Sequence, residues 1–202
     1  MRVALSPGMK TLMMTILALS FFNADALAMG KRREKVDGDK YNVYRINKGA
    51  HYSKGPKLKL PTYKDSFTFK VVFDDSAKYT TVDPVNQYDV NKLIGFTDCG
   101  GMAIHKNSAR LGWNWDHGQL HLYAYTYANK VRAFEKIGDI PIGKAFEAGI
   151  RISGDHYVFT YNGKETKMAR GCSKSGSFKT WSYPYFGGDE TAPQETKILV
   201  KW

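Results

Sequence analysis

The residues best suited to chemistry lie in the stretch 107–128, which reads NSARLGWNWDHGQLHLYAYTYA. Its second half carries a histidine and three tyrosines at alternate positions, His121, Tyr123, Tyr125 and Tyr127. Alternate residues of a β-strand share one face, so this spacing predicts a row of rings that each keep a polar edge. Such a row could stack on the apolar faces of sugar rings and hydrogen-bond their hydroxyls.

The first half of the stretch supplies polar groups that would accompany the rings. Arg110 and Asn114 share a strand face, and a tight turn at residues 116–118 would pair the two halves as a hairpin. We therefore predict a ligand-binding face made of Asn107, Arg110, Asn114, His121, Tyr123, Tyr125 and Tyr127, which Tyr183 and Tyr185 of a later aromatic strand would extend. The alternative, in which the tyrosines pack beneath other parts of the chain, stays open.

The segments that would position this face have the spacing of short β-strands. Phe67, Phe69, Val71 and Phe73 alternate with polar or smaller residues, and Asn162-Gly163 is a strong signal for a two-residue hairpin turn. Similar alternation recurs between turn signals up to the end of the chain, and no amphipathic helical period accompanies it. This pattern predicts an all-β fold, an antiparallel β-sandwich of the jelly-roll type.

The first 28 residues have the features of a secretory signal peptide. Arg2 and Lys10 precede an apolar run, and Ala26-Leu27-Ala28 is a small-residue cleavage pattern. We therefore expect a secreted or periplasmic monomer, cut after Ala28, with no later transmembrane segment. Residues 29–63 are predicted to be a basic, partly ordered segment, and residues 64–202 the β-sandwich domain.

Charge and cysteine content narrow the partners. The formal net charge of +11 favours a polyanion such as an acidic polysaccharide, although a merely soluble basic protein would have the same composition. The charge is spread along the chain, and we expect no nucleic-acid partner. Cys99 and Cys172 could form a disulfide in an oxidising compartment or remain separate thiols, and their spacing has no metal signature.

Several segments resemble the concanavalin A-like lectin/glucanase jelly roll, and most closely uncharacterised secreted bacterial proteins of that type. They are NKLIGF, HKNSARLGW and YPYFGGDETAP, together with the succession of GIRIS, DHYVFTYNGK, an aromatic strand and a closing strand. The resemblance covers residues 67–202. It implies two curved antiparallel sheets, with glycans lying across the concave one. It does not imply one activity, because the superfamily includes lectins, hydrolases, lyases and binding modules.

The catalytic motifs of these families are not matched. Glucanases of this fold use a Glu-x-Asp-x-Glu strand, whereas the acidic pairs here, Asp74-Asp75 and Asp189-Glu190, lie in predicted loops. Alginate lyases of this fold use Arg, Gln, His and Tyr in strings that this chain lacks. The residue types are nevertheless present: Arg110 could neutralise a uronate carboxylate, and His121 or Tyr123 could remove the C5 proton.

Three functions follow from these residues. We favour a lectin-like, carbohydrate-binding module over an enzyme, with a polysaccharide lyase acting on an acidic glycan as the first alternative. The second alternative is a cell-envelope interaction protein that binds a non-glycan partner through its basic head. No cofactor is expected. A structural Ca²⁺ ion at Asp189 is conceivable, because folds of this type often hold one, but an ordinary acidic turn explains the same residues.

Overall fold

The computed structural model describes residues 32–57 and 60–202, so the predicted signal peptide lies outside the described residues. No helix among the residues described is long and apolar enough to cross a membrane. The helical elements of this part of the chain are two short 3-10 helices, Asp75–Ala77 and Pro84–Tyr88. The remaining regular structure consists of β-strands.

The described residues form thirteen strands that assemble into two antiparallel sheets. In chain order they are β1 (Arg33–Val36), β2 (Asp39–Ile46), β3 (Ser53–Lys54), β4 (Ser66–Phe73), β5 (Asn91–Thr97), β6 (Ser108–Asp116), β7 (Gln119–Ala128), β8 (Val131–Asp139), β9 (Phe146–Ser153), β10 (His156–Tyr161), β11 (Lys164–Ala169), β12 (Trp181–Ser182) and β13 (Thr196–Lys201).

The larger sheet has the order β1-β2-β13-β4-β9-β10-β11, with β3 paired to β2, and the smaller sheet has the order β12-β5-β6-β7-β8. Their inner faces meet in one core, to which the smaller sheet contributes Leu111, Trp113 and Leu122 and the larger sheet Phe69 and Phe159. All five side chains are essentially fully buried. The predicted all-β sandwich is therefore confirmed. Each sheet has an inner face that packs in the core and an outer face that is turned away from it.

The hairpin turns form where the sequence predicts them. His117 and Gly118 join β6 to β7 with φ values of 48° and 74°, and Asn162 and Gly163 join β10 to β11 with 48° and 73°. Positive φ at both central residues is the geometry of a type I′ turn, whose twist matches that of the flanking strands. The His117-Gly118 turn sets the register of the β6–β7 hairpin, on which the predicted site lies.

The sandwich begins earlier in the chain than predicted. Strands β1, β2 and β3, all within residues 33–54, belong to the larger sheet, so this part of the predicted N-terminal segment is integrated into the sandwich. Strand β2 lies between β1 and β13, away from the sheet edge, and its Tyr44 pairs with Ile198. The charged residues of β2 conceal this from sequence, because buried Tyr41, Val43, Tyr44 and Ile46 are interspersed with Lys40, Asn42 and Arg45.

The predicted aromatic strand, residues 178–186, is mostly irregular. Regular pairing extends only over β12, which is an edge strand of the smaller sheet. Pro184 follows shortly after and has no backbone N–H to donate to a ladder, which agrees with the edge position of β12. Outside β12 this segment pairs through isolated bridges, from Lys179 to Thr62 and from Tyr185 to both Lys92 and Tyr52.

Candidate functional site

The register of the β6–β7 hairpin places the predicted polar and aromatic residues on one face. Arg110 pairs with Tyr125, and Asn114 pairs with His121. The alternate pair Trp113 and Leu122 points into the core. We call the opposite side of the smaller sheet, turned away from the core, the outer face; β7 lines it with His121, Tyr123, Tyr125 and Tyr127, and β8 extends it with Arg132, Phe134 and Lys136.

Two glycines leave room on this face for large side chains. A Cβ atom on Gly95, which pairs with Arg110, would lie 2.8 Å from Arg110 Cγ and 2.1 Å from a backbone oxygen. Gly112 pairs with Lys92 on one side and Tyr123 on the other. Because neither position carries a side chain, the cationic side chains of β5 and β6 can pack close to the surface of the sheet.

Tyr125 is enclosed by its neighbours on the outer face. Its ring stacks on Phe134 at 5.9 Å with an interplanar angle of 9°, and the guanidinium carbon of Arg110 lies 4.7 Å from its centroid. Only 3% of Tyr125 remains exposed. The expectation of an open tyrosine row is therefore wrong at this residue, because large side chains at adjacent cross-strand positions pack on one another. Tyr123 and Tyr127 remain half-buried.

Arg110 is a buried cation that has no anionic partner among the residues of the described chain. It is 5% exposed, and its Nε and Nη2 atoms have no hydrogen-bond partner among the described residues. It lies instead on the rings of Tyr125 and Tyr127. Burial lowers the pKa of Arg110, which expresses the cost of removing its charge from water. A buried guanidinium that has unused donors is suited to receive an anion from outside the chain.

Lys92 joins Arg110 on the outer face, and sequence reasoning missed it. Its ammonium lies 4.8 Å from the Tyr125 centroid and donates to the Val90 carbonyl at 2.7 Å. Burial, and then the charge of Arg110, lowers the pKa of Lys92 to about 8. A β-bulge between Lys92 and Ile94 shifts the alternation of β5. Lys92 therefore shares a face with Gly95, three residues later, which strict period-two counting does not predict.

His121 is held by residues of β8. Its Nδ1 lies 2.7 Å from Asp139 Oδ1, which also binds Lys136 Nζ at 2.8 Å. The hydrogen bond from Lys136, and then that from His121, keeps the pKa of Asp139 below its ordinary value despite partial burial. In the neutral tautomer whose Nδ1 donates to the carboxylate, the other ring nitrogen, Nε2, is an acceptor. Asp139 was not foreseen, because a second bulge, between Leu122 and Tyr123, sets its register.

The two predicted asparagine ligands are both buried. Asn107 is buried, and its Oδ1 accepts a hydrogen bond from the backbone N–H of Asn129 at 2.8 Å, which fixes the turn between β7 and β8. Asn114 is also buried, and its Nδ2 lies 3.5 Å from the Gln87 carbonyl, in the 3-10 helix that contacts β6. Asn107 is thus corrected from a ligand to a structural residue, and Asn114 presents almost no surface.

Tyr183 and Tyr185 separate from each other. Tyr183 packs against the core side, with its ring 6.1 Å from both Tyr44 and Trp202, and its hydroxyl donates to the Lys57 carbonyl. Its predicted place on the ligand-binding face is therefore wrong. Tyr185 pairs with Lys92 and stacks on His51 at 5.3 Å. It lies at the β5 side of the outer face, two residues from Tyr183, because regular strand geometry ends at Ser182.

The remaining predicted sites lie elsewhere. Cys99 and Cys172 form a disulfide, with their Cα atoms 5.9 Å apart. Asp189 is exposed, and it belongs to no group of three potential metal ligands within the described chain. The neighbouring Glu190 carboxylate accepts hydrogen bonds from the N–H groups of Val82 and Asp83 and so fixes a loop. The calcium ion stays a prediction.

No protein-family model and no curated protein matches the chain. Among solved structures, the marine PL7 alginate lyase AlyA1 from Zobellia galactanivorans is 11% identical with a TM-score of 0.52, over 82% of this chain and 76% of that one. The alginate lyase from Corynebacterium sp. is 13% identical with a TM-score of 0.50, over 85% and 79%. At these identities the likeness shows the fold alone: a concanavalin A-like jelly roll.

Proposed function

We propose that the protein is a carbohydrate-binding β-sandwich that holds an acidic glycan on the outer face of its smaller sheet. The observation that carries this proposal is Arg110, a buried guanidinium lying on Tyr125 with Nε and Nη2 unpaired within the described residues. A carboxylate matches the planar donor pair of a guanidinium and would compensate its charge. An acidic sugar would therefore complete the site.

The surroundings of Arg110 suit a sugar ring as well as its charge. Tyr123, Tyr127 and Phe134 are partly or fully exposed on the same face, and aromatic rings stack on the apolar faces of sugars. Arg132 and Lys136 add positive charge on β8, and the net charge of +11 favours encounter with a polyanion. The alginate that the two structural neighbours cleave is a polyuronate, and we choose it as the first glycan to test.

Export to an oxidising compartment is part of the proposal. The disulfide between Cys99 and Cys172 supports it, since such bonds persist in secreted and periplasmic proteins and are rare in the cytosol. An acidic polysaccharide partner would be met in the same location.

Affinity for alginate oligosaccharides, measured by calorimetry, tests the binding proposal. Arg110→Met should weaken binding roughly tenfold to a hundredfold, because each charge-assisted hydrogen bond contributes about 1.5–3 kcal/mol. Arg151→Met is the matched control: Arg151 is an exposed arginine on the larger sheet, paired with Glu165. Equal affinity of wild type and Arg110→Met, or equal loss in both variants, would contradict the role of the outer face.

A second candidate function is a polysaccharide lyase, which the His121–Asp139 contact specifically favours. In a β-elimination, a base removes the proton from C5 of a uronate, a C4–C5 double bond forms, and the C4–oxygen bond breaks. The leaving oxygen keeps the electron pair and takes a proton. In this proposal His121 Nε2 would act as the base, Tyr123 lies two residues along the same face, and Arg110 would neutralise the uronate carboxylate.

Ultraviolet absorbance of the unsaturated product distinguishes the two functions. A lyase would produce rising absorbance on alginate, and both His121→Gln and Tyr123→Phe would abolish it while leaving binding within about twofold. Asp116→Asn, at the hairpin turn, is a suitable control. Binding without any absorbance change on alginate and other polyuronates would leave the binding module as the function.

A further inference from the structure

Two cations approach the same ring from neighbouring strands. Lys92 Nζ on β5 and Arg110 Cζ on β6 lie 4.8 Å and 4.7 Å from the centroid of Tyr125. Like charges this close in a partly desolvated site repel each other. Neither forms an ion pair with a carboxylate of the described residues: the Lys92 ammonium donates to a backbone carbonyl, and the Nε and Nη2 atoms of Arg110 have no partner there. The excess positive charge is therefore a property of the site.

The position of Lys92 is fixed by its surroundings. Its Nζ donates to the Val90 carbonyl, and a Cβ atom on Gly187 would lie only 2.5 Å from that nitrogen. A side chain at residue 187 would thus displace the ammonium, so the loop after β12 leaves it space. The opposite position on β6, Gly112, carries no side chain either. The ammonium occupies a slot that backbone and glycines create.

We propose that Lys92 and Arg110 together bind one anionic oxygen group of the glycan beside the Tyr125 ring. The inference rests on the proposed glycan-binding function and adds Lys92 to Arg110 as a second cation that binds the anion. The shared chemistry is an anionic oxygen group, which a uronate carboxylate or a sulfate ester could supply. Two cations on one group would make recognition depend on both charges.

Protonation gives this pair a measurable signature. The groups that face Lys92 are Asp89 in the preceding loop, Arg110 on β6, Tyr125 on β7, Arg132 on β8 and Tyr185 after β12. Burial raises the pKa of the Tyr125 and Tyr185 phenols, so they remain neutral at mildly alkaline pH. Since the pKa of Lys92 is about 8, its ammonium is charged below that pH and loses its charge above it.

An anion bound beside Lys92 would stabilise the ammonium and raise its pKa, so that binding takes up a proton. Affinity should accordingly be high below pH 8 and fall roughly tenfold to thirtyfold between about pH 7 and about pH 9.5. Lys92→Arg should remove most of this dependence, because arginine keeps its charge throughout the range. Lys92→Met should bind weakly at the lower pH and match wild type at the higher one.

Calorimetry with alginate oligosaccharides at the two pH values tests the proposal. The two-cation proposal is overturned if Lys92→Met binds like wild type near pH 7, or if the wild-type affinity does not change with pH. Either result would leave the glycan-binding function in place. If the wild-type protein does not bind alginate oligosaccharides at either pH, the proposed function is instead refuted for this glycan.

A second measurement does not depend on the glycan or on how well an arginine fits the slot. NMR titration of the Lys92 ammonium, with and without inorganic sulfate, reports whether an anion raises its pKa. A rise in wild type that Arg110→Met removes would support the two-cation site, and an unchanged pKa would overturn it. Retention of the protein on alginate, dextran sulfate and neutral dextran then identifies the group that supplies the anion. Preference for alginate indicates a carboxylate, and preference for dextran sulfate indicates a sulfate ester. Equal retention on neutral dextran would show that no anion is recognised.

Discussion

Arg170 and Arg110 are both buried arginines, and the chain treats them in opposite ways. Arg170 donates from Nε to Asp98 at 2.6 Å, from Nη1 to the Gly154 carbonyl at 2.9 Å and from Nη2 to the Lys174 carbonyl at 2.8 Å. Arg110 lies on two tyrosine rings with two of its nitrogens unsatisfied by any described residue. The fold can evidently satisfy a buried arginine completely, so the unsatisfied one points to a ligand.

The surroundings of Arg170 show what a structural site requires. Lys179 Nζ lies 2.8 Å from Asp65 and 3.8 Å from Asp98, and the Ser177 hydroxyl donates to Asp98. The disulfide that begins at Cys99 joins the same region to residue 172. Charges of both signs are thus balanced within the cluster, whereas the outer face of the smaller sheet has an excess of positive charge.

Breaking the structural pair should have the largest effect. Asp98→Asn leaves Arg170 and Lys179 buried with too little negative charge, and we expect a loss of about 3–5 kcal/mol in the free energy of unfolding. Denaturant unfolding measures it. Glu165→Gln, which removes an exposed partner of Arg151, is the control and should cost under about 1 kcal/mol. A loss in Asp98→Asn as small as that of the control would remove the contrast between the two arginines.

The rings of the outer face should separate by burial. Tyr125→Ala removes a side chain that is 3% exposed and should lower the free energy of unfolding by about 2–4 kcal/mol. Phe134→Ala removes one that is 48% exposed and should lower it by about 1 kcal/mol or less. Both variants should weaken glycan binding, since both rings border Arg110. Thermal unfolding and calorimetry measure the two effects. Equal stability losses would mean that the outer face packs as a core.

Acid should affect the two regions differently. Burial alone would raise the pKa of Asp98, but the hydrogen bonds from Arg170 and Ser177 hold it below its ordinary value of 3.8. The carboxylate therefore stabilises the fold above about pH 4, and this contribution is lost as the pH falls through its lowered pKa. The stability difference between wild type and Asp98→Asn should narrow along that range. A difference that stays constant down to about pH 2 would show that Asp98 acts through something other than its charge.

Arg110→Met should change stability least. It removes a buried, unpaired charge and retains much of the apolar contact with Tyr125, so we expect a change within about 1 kcal/mol, in either direction. Denaturant unfolding of this variant beside Arg170→Met gives the sharpest comparison. A loss in Arg110→Met as large as that in Arg170→Met would indicate that Arg110 is itself structural, and the anion site would lose its main support.

Sequence reasoning reached the face but only part of the site. Regular alternation along residues 121–127 and the His117-Gly118 turn place the rings opposite the core, and both are local signals. Lys92 and Asp139 escaped because bulges in β5 and in the β7–β8 pairing shift the face on which they lie. The burial of Tyr125 depends on the side chains of the neighbouring strands, and the inward turn of Tyr183 on contacts with the distant Tyr44; no spacing in the chain reports either.

The place of β13 has a consequence for how the chain becomes a sheet. This strand, residues 196–201, lies between β2 and β4, and every strand from β4 to β11 in the larger sheet is separated from β1–β3 by it. Until β13 pairs with them, β2 and β4 each have one unpaired edge. Assembly of the larger sheet therefore depends on residues 196–201, and removing them would leave two half-sheets with open edges that are prone to pair with other molecules.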